Sequence, residues 1–251
     1  MKAKSYLPSE FELIARHFAP LARGFPGAFG LLDDAAVVAA GQGRELVVKT
    51  DAIVGGIHFF NDDAPDLIAR KALRVNLSDL AAKGAVPRAY LLDLMLPTSV
   101  SDEWVAAFAG GLAHDQRQFG VHLIGGDTDS TPGPVAIAIT ALGEIETGRI
   151  IRRSGAHAGD TVFVTGTIGD AVLGLQLLQG ALTNVHAEKA AFLVDRYRLP
   201  QPRTTVGPRL IGIASAAIDV SDGLVADLGH VCETSELCAV VDADKLPLSL
   251  A

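Results

Sequence analysis

Several stretches of this chain place aspartates where small residues let the backbone turn: Asp33-Asp34 before Ala35-Ala36, Asp51 after Thr50, Asp127 after Gly125-Gly126, and Asp219 and Asp222 around Val220-Ser221. Carboxylates at strand ends can face a ligand cleft, and adjoining glycines let a phosphate approach the backbone. Carboxylates gathered in one cleft repel each other unless cations sit between them. Mg2+ with bound phosphates meets that need, since it takes one or two carboxylates and fills its shell with water and phosphate oxygens. The acid count agrees: 20 residues are Asp and 9 are Glu, although Glu is the better helix-surface residue.

Each stretch also has a plainer reading. Asp33-Asp34 alone is a solvated turn, and Gly125-Gly126-Asp127 alone is an ordinary one. Asp79 stands four before Lys83, the spacing of a surface ion pair on a helix. Ser221 or Asp222 suits a helix N-cap. His58 beside Gly55-Gly56 is either structural or placed for phosphate or ring contact. Val164-Thr165-Gly166-Thr167-Ile168-Gly169-Asp170 is either a turn or a phosphate neighbour. Taken jointly the plain readings weaken, because independent turns rarely all use Asp. The chain has no G-x-x-x-x-G-K-[ST], no G-x-G-x-x-G opening a helix, no G-x-S-x-G elbow and no His pair at metal spacing.

The elements that must position these residues alternate in type. Ser9 and Glu12 form a capping box for an opening helix whose apolar face is Phe11, Ile14, Ala15 and Phe18, ended by Pro20 and Gly24. Residues 35–39, 45–50, 88–96, 121–124 and 135–142 read as strands. Residues 64–83 and 101–119 read as helices, the second capped by Ser101. The charged, glycine-bearing stretch 144–160 breaks the pattern and sets a domain boundary, giving residues 1–145 and 146–251. The second part reads as strands at 161–165, 217–220 and 239–241 with helices at 170–179, 187–197 and 224–234. The class is α/β (α+β) in two domains. The apolar end at Leu248–Ala251 suggests that the chain continues and that the second domain is incomplete.

Composition excludes several classes. With 21 basic against 29 acidic residues and a net charge of −8, bulk nucleic-acid binding is not expected. The opening Met1-Lys2-Ala3-Lys4-Ser5 leads no apolar signal segment, and the longest uncharged apolar run, 134–143, is far short of a membrane span. Cys232 and Cys238 lack partners at metal spacing and read as two small buried hydrophobes in a reducing cytosol. The protein is expected in the cytoplasm.

The ordered motifs L-L-D-D-A-A-V-V (31–38), K-T-D-A-I-V-G-G-I-H-F (49–59), K-A-L-R-V-N-L-S-D-L-A-A-K-G-A-V-P (71–87), L-I-G-G-D-T (123–128), R-S-G-A-H-A-G-D (153–160), V-T-G-T-I-G-D-A (164–171) and I-D-V-S-D-G-L-V-A-D-L-G-H (218–230) resemble those of the thiamine-monophosphate kinases. That family shares a superfamily with aminoimidazole ribonucleotide synthetase and selenophosphate synthetase. The resemblance implies ATP-dependent phosphorylation of thiamine monophosphate to the diphosphate, with several Mg2+ ions. It also implies an N-terminal domain (1–145) that binds ATP and pairs its sheet across a homodimer. By motif, the metal ligands are Asp34, Thr50, Asp51, Asp79, Asp127, Asp219 and Asp222. The ATP contacts are Lys49, Thr50, Gly126, Asp127, Arg153 and Ser221, and His58 faces the thiamine phosphate. Leu32 stands where the family usually has Gly, and Lys49 where Ser or Thr is common. The family's Gly-Gly-Glu-Asp-Tyr-Glu motif is not in this sequence. Two other readings are a different ATP-dependent enzyme of the superfamily and a non-catalytic nucleotide- and metal-binding protein. The first cysteine is Cys232, which disfavours selenophosphate synthetase, since that enzyme needs a reactive Cys near its N-terminus.

Overall fold

The computed structural model describes residues 8–32, 35, 36 and 38–251. Asp33 and Asp34 lie outside the described residues, so the expected ligand Asp34 has no structural account. Half of the capping box is seen: the Ser9 amide donates to Glu12 Oε2 at 2.9 Å, and the Ser9 hydroxyl donates to the same oxygen at 2.8 Å. The helix behind it is short, α1 (Glu10–Leu13), and passes into a π turn (Ile14–Phe18) and a 3-10 turn (Ala19–Ala22). That irregular path rotates the expected apolar face. Leu13 and Phe18 are buried, whereas Phe11 is 81% exposed.

Four strands make one mixed sheet: β1 (Arg44–Val54), β2 (Val86–Pro97), β3 (His122–Thr131) and β4 (Ala136–Glu146), in the order β1-β4-β2-β3. Strand β4 runs antiparallel to both β1 and β2, and β3 runs parallel to β2. Parallel strands need a crossover, which α2 (Pro65–Ala82) supplies between β1 and β2 and α3 (Asp102–Phe119) between β2 and β3. Pro65 opens α2 at a position where its missing N–H costs nothing. Ser101 caps α3 by accepting the Trp104 amide at 3.3 Å, and left-handed Gly120 ends it. Buried Ile68, Ala72, Leu73, Leu77 and Leu80 of α2 recur at helical spacing, as do Val105, Phe108 and Leu112 of α3. These two stripes close the main core over one sheet face, against Ile53, Leu92, Leu94, Ile137 and Ile139.

Residues 35, 36, 38 and 39 are not in a strand, contrary to expectation. Ala36 and Val38 pack instead on a small cluster of Ala22, Ala28, Ala89 and Ile124 on the other sheet face. Strand β3 also runs past residue 124, because β2 offers it a ladder as far as Pro97↔Thr131.

After β4, the described residues form helices α4 (Asp170–Leu178), α5 (Ala187–Arg198) and α6 (Leu224–Thr234), with short 3-10 turns at Gly207–Leu210 and Ala243–Lys245. The helices match the sequence expectation closely. The strands expected at 161–165, 217–220 and 239–241 do not form. A strand exists only by pairing, and among the described residues these segments have no ladder partner. Val162, Phe163, Val240 and Val241 are exposed accordingly. The second half docks on α2: Gly207 sits so close to the Ala81 carbonyl that a Cβ there would overlap it, and Lys83 Nζ donates to the Ala217 carbonyl at 3.0 Å.

Candidate active site

Lys49 and Asp51 sit two apart on β1, so strand alternation turns both toward α2. There Lys49 Nζ reaches Asp79 Oδ2 at 3.0 Å and Asp51 Oδ2 at 3.8 Å. Asp79 therefore does not take the plain reading, a surface pair with Lys83. Asp219 approaches the same group from the second half of the chain. Burial, and then the charge of Asp79, push its pKa up, with Ser78 opposing by hydrogen bond. Burial works against the charge on Lys49, but Asp79, Asp51 and Asp219 outweigh it and its pKa rises. The Lys83 pKa is lowered mainly by burial and then by the charge of Arg153, and the carbonyl of the adjacent Arg152 accepts the Ala217 amide at 2.9 Å. Lys49, Asp51, Asp79 and Asp219 thus converge where β1, the last turns of α2 and the 217–222 segment meet, with the exposed Arg153 on the Lys83 side. The site lies over the middle of β1 rather than beyond the strand ends.

The loop carrying Ser221 and Asp222 is shaped by a residue the motif reading left without a role. Asp227, 3% exposed, accepts three backbone N–H groups through Oδ2, from Ser221 at 2.9 Å, Asp222 at 3.1 Å and Gly223 at 3.1 Å. Neither Ser221 nor Asp222 caps α6, since its N-cap is Gly223. The available signal was an acid in the first turn of a helix, where the macrodipole favours one. With its amide pinned by Asp227, the exposed Asp222 side chain is free for a ligand.

Other expected residues lie elsewhere. The Thr50 hydroxyl is on the opposite sheet face, where it accepts from Thr140 at 3.1 Å and donates to the Ile139 carbonyl at 3.3 Å. Gly126 comes opposite Leu92, and Asp127 opposite Asp93, on the far edge strand from Asp51. Three strand spacings make about 14 Å along the sheet, and the register turns Asp127 to the other face. In the 164–171 segment Thr167 hydrogen-bonds to Asp170, and Arg203 Nη2 donates to the Thr165 carbonyl at 3.2 Å.

His58 sits in a tight turn after β1. Its Nδ1 accepts the Val54 amide at 3.0 Å, so the neutral ring carries its proton on Nε2. The ring is exposed and can offer that N–H to an anion.

Hard carboxylate donors gathered this closely suit a divalent cation, and the Lys49 ammonium stands between two of them as positive charge. Among the described residues no three such groups form a closed cage. Mg2+ rarely requires one, because phosphate and water complete its shell.

Residues 32–145 match the family model described as AIR synthase related protein, N-terminal domain. Thiamine-monophosphate kinase of Caulobacter vibrioides is 45% identical over 242 residues, covering 96% of this chain and 68% of the relative. The crystal structure of thiamine-monophosphate kinase from Stenotrophomonas maltophilia superposes with a TM-score of 0.85 at 41% identity, covering 96% of this chain and 77% of that one. AaThiL, solved in complex with AMPPCP and TMP, superposes with a TM-score of 0.78 at 32% identity, covering 89% and 75%. The chain belongs to the thiamine-monophosphate kinase family.

Proposed function

We propose that this protein transfers the γ-phosphoryl group of ATP to thiamine monophosphate, giving thiamine diphosphate and ADP. The observation that carries the reading is the convergence of Asp51, Asp79 and Asp219 around Lys49, in a relative of a kinase solved with AMPPCP and TMP. The acceptor is a phosphate monoester whose second pKa is about 6, so it is already a nucleophilic dianion at pH 7. No general base is needed. The obstacle is repulsion between that dianion and the triphosphate, which makes positioning and charge compensation the whole task. Lys49 and Arg153 supply fixed positive charge toward the phosphates, Arg153 without any dependence on pH. His58 donates from Nε2 to the acceptor phosphate, and the Ser221 loop carries backbone toward the nucleotide. A coupled ADP-release assay tests this. Turnover with thiamine monophosphate and none with aminoimidazole precursors or selenide is expected, and the reverse would overturn it.

Several Mg2+ ions would be held by Asp51, Asp79, Asp219 and Asp222, while Asp34, Thr50 and Asp127 enter the metal set, and Gly126 the ATP contacts, from the motif resemblance alone. Mg2+ when bound supplies the positive charge that offsets the triphosphate. An uncompensated unit charge a few ångströms from a phosphate costs about 1–4 kcal/mol. ATP affinity measured by calorimetry should therefore fall roughly tenfold or more in EDTA. Equal affinity with and without Mg2+ would refute the metal assignment.

We further propose a homodimer built on the sheet. Val48, 60% exposed, lies on the face of β1 away from α2, and β1 is an edge strand, a feature proteins rarely leave bare. Sedimentation at micromolar concentration should give a dimer, and Val48→Glu should shift it toward monomer. A wild-type monomer would refute this. No helix among the described residues is long and apolar enough to cross a membrane. Cys232 is half-buried and Cys238 exposed, not buried as expected, because neither joins a hydrophobic core cluster.

A further inference from the structure

The turn that carries His58 is gripped from two sides at its own carbonyl. Lys71 Nζ on α2 donates to His58 O at 2.6 Å, and Tyr197 Oη on α5 donates to the same oxygen at 3.3 Å. The two donors also hold each other, because the Lys71 ammonium lies 3.7 Å from the centre of the Tyr197 ring. Next to them Arg198 pairs with Asp63 at 2.7 Å, and Asp63 accepts the Phe60 amide at 2.9 Å. Phe60 meets the Tyr197 ring edge-on at 6.0 Å. Both ends of the 58–63 loop are thus tied to the last turn of α5.

A lysine on a helix surface ordinarily keeps its ammonium in water. Burial has instead pushed Lys71 down to about 8, with the charge of Asp63 opposing. A cation that gives up hydration for a carbonyl and a ring face is being held there by the fold. Cation–π contact strengthens as the cation is desolvated, and an ammonium–carbonyl bond is stronger than a neutral one. Fixing the His58 carbonyl fixes the peptide that sets the imidazole's direction, while the Val54 amide fixes the ring's rotation through Nδ1.

We infer that Lys71 and Tyr197 are positioning residues for His58, forming a clamp through which α5, from the second half of the chain, sets the geometry of the loop that receives the acceptor phosphate. This rests on the reading of His58 as a thiamine monophosphate contact. The clamp acts on acceptor binding and leaves the nucleotide side alone, since none of its contacts reaches Lys49, Asp79 or Asp219. Loss of a charge-assisted hydrogen bond that orders a binding group is worth about tenfold in affinity.

The test uses His58→Ala, Lys71→Met, Tyr197→Phe and the double variant His58→Ala/Lys71→Met, reading KM for each substrate, kcat and the thermal midpoint. Lys71→Met should raise KM for thiamine monophosphate about tenfold with KM for ATP unchanged, and Tyr197→Phe, which keeps the ring, should do so by less. Because Lys71 acts through His58, the double variant should be no worse than His58→Ala alone, the signature of coupled residues. If His58→Ala raises that KM and Lys71→Met does not, or if the two effects simply multiply, the clamp is refuted while the reading of His58 stands. If Lys71→Met only lowers the midpoint, or moves both KM values alike, its role is structural and the inference fails. If none of the variants moves KM for thiamine monophosphate, the reading of His58 fails and the inference falls with it.

Discussion

Replacing Asp222 by Asn is expected to lower kcat at saturating Mg2+ by at least ~100-fold, the scale of losing one electrostatic stabiliser, with no change in the thermal midpoint. Asp222 is exposed, and its one contact with the α6 loop is through its backbone N–H, which Asp227 accepts at 3.1 Å. Asn keeps that N–H. Exposed substitutions that break no specific contact stay within about 0.5 kcal/mol, so the fold should not register the change. The charge is another matter. A neutral amide binds hard cations weakly and leaves phosphate charge uncompensated during transfer. If Asp222 were merely an exposed loop residue, turnover would be near wild-type, and the assignment of the 219–223 motif to metal would be lost. The measurement separates the two outcomes without ambiguity, because capping by Asp222, which would have tied rate to stability, is not part of the structure.

Asp227→Ala should show the opposite signature: a fall in thermal midpoint first, with activity following. One buried carboxylate oxygen satisfies the amides of Ser221, Asp222 and Gly223, near the N-terminus of α6 where orphan donors concentrate. Hydrogen bonds to a charged group are worth about 1.5–3 kcal/mol each when broken singly. Exposed amides recover part of that from water, so a net loss of roughly 3 kcal/mol is expected. That corresponds to a drop of roughly 6–12 °C for a chain of this size. Asp227→Asn keeps an acceptor without the charge and should fall between. If the midpoint does not move in Asp227→Ala, the carboxylate does not hold the loop. If the midpoint falls but metal-dependent ATP binding is intact, the loop keeps its shape without it.

Much of the architecture was legible because it depends on local patterns. The apolar periodicity of 65–82 and 102–119 requires buried stripes at helical spacing whatever they pack against, and the Ser101 cap and Gly120 stop act within a few residues. The α6 limits at Leu224 and Thr234 likewise follow from Gly223 before them and the loss of periodicity after. Strands β1, β2 and β4 were found at nearly their observed places by alternation. The motif order also identified the family, since aspartates in seven ordered settings are hard to reproduce by chance.

What depends on two distant segments meeting was not legible. Arg74 is buried against Asp115, with Nε–Oδ2 at 2.6 Å and Nη2–Oδ1 at 3.0 Å. Nothing near either residue in sequence announces a partner 41 positions away. The segments at 161–165, 217–220 and 239–241 carry strand composition but no ladder, because a strand needs a neighbour that composition cannot supply. The site shows the same divide. Simple alternation along 123–127 places Leu123, Gly125 and Asp127 on one face. A bulge between Tyr90 and Leu91 of β2 and their partners makes Ile124 an extra residue, so Gly126 falls opposite Leu92 and Asp127 turns away. At that bulge Gly126 has φ +147, and a Cβ would overlap the Leu92 backbone. The sequence determined which residue types were available for phosphate and metal and which elements carry them. The register of β3 on β2, and the rotation of α2 that aims Asp79 at Lys49, decided which of those carboxylates share a site, because a shift of one residue exchanges the two faces of a strand.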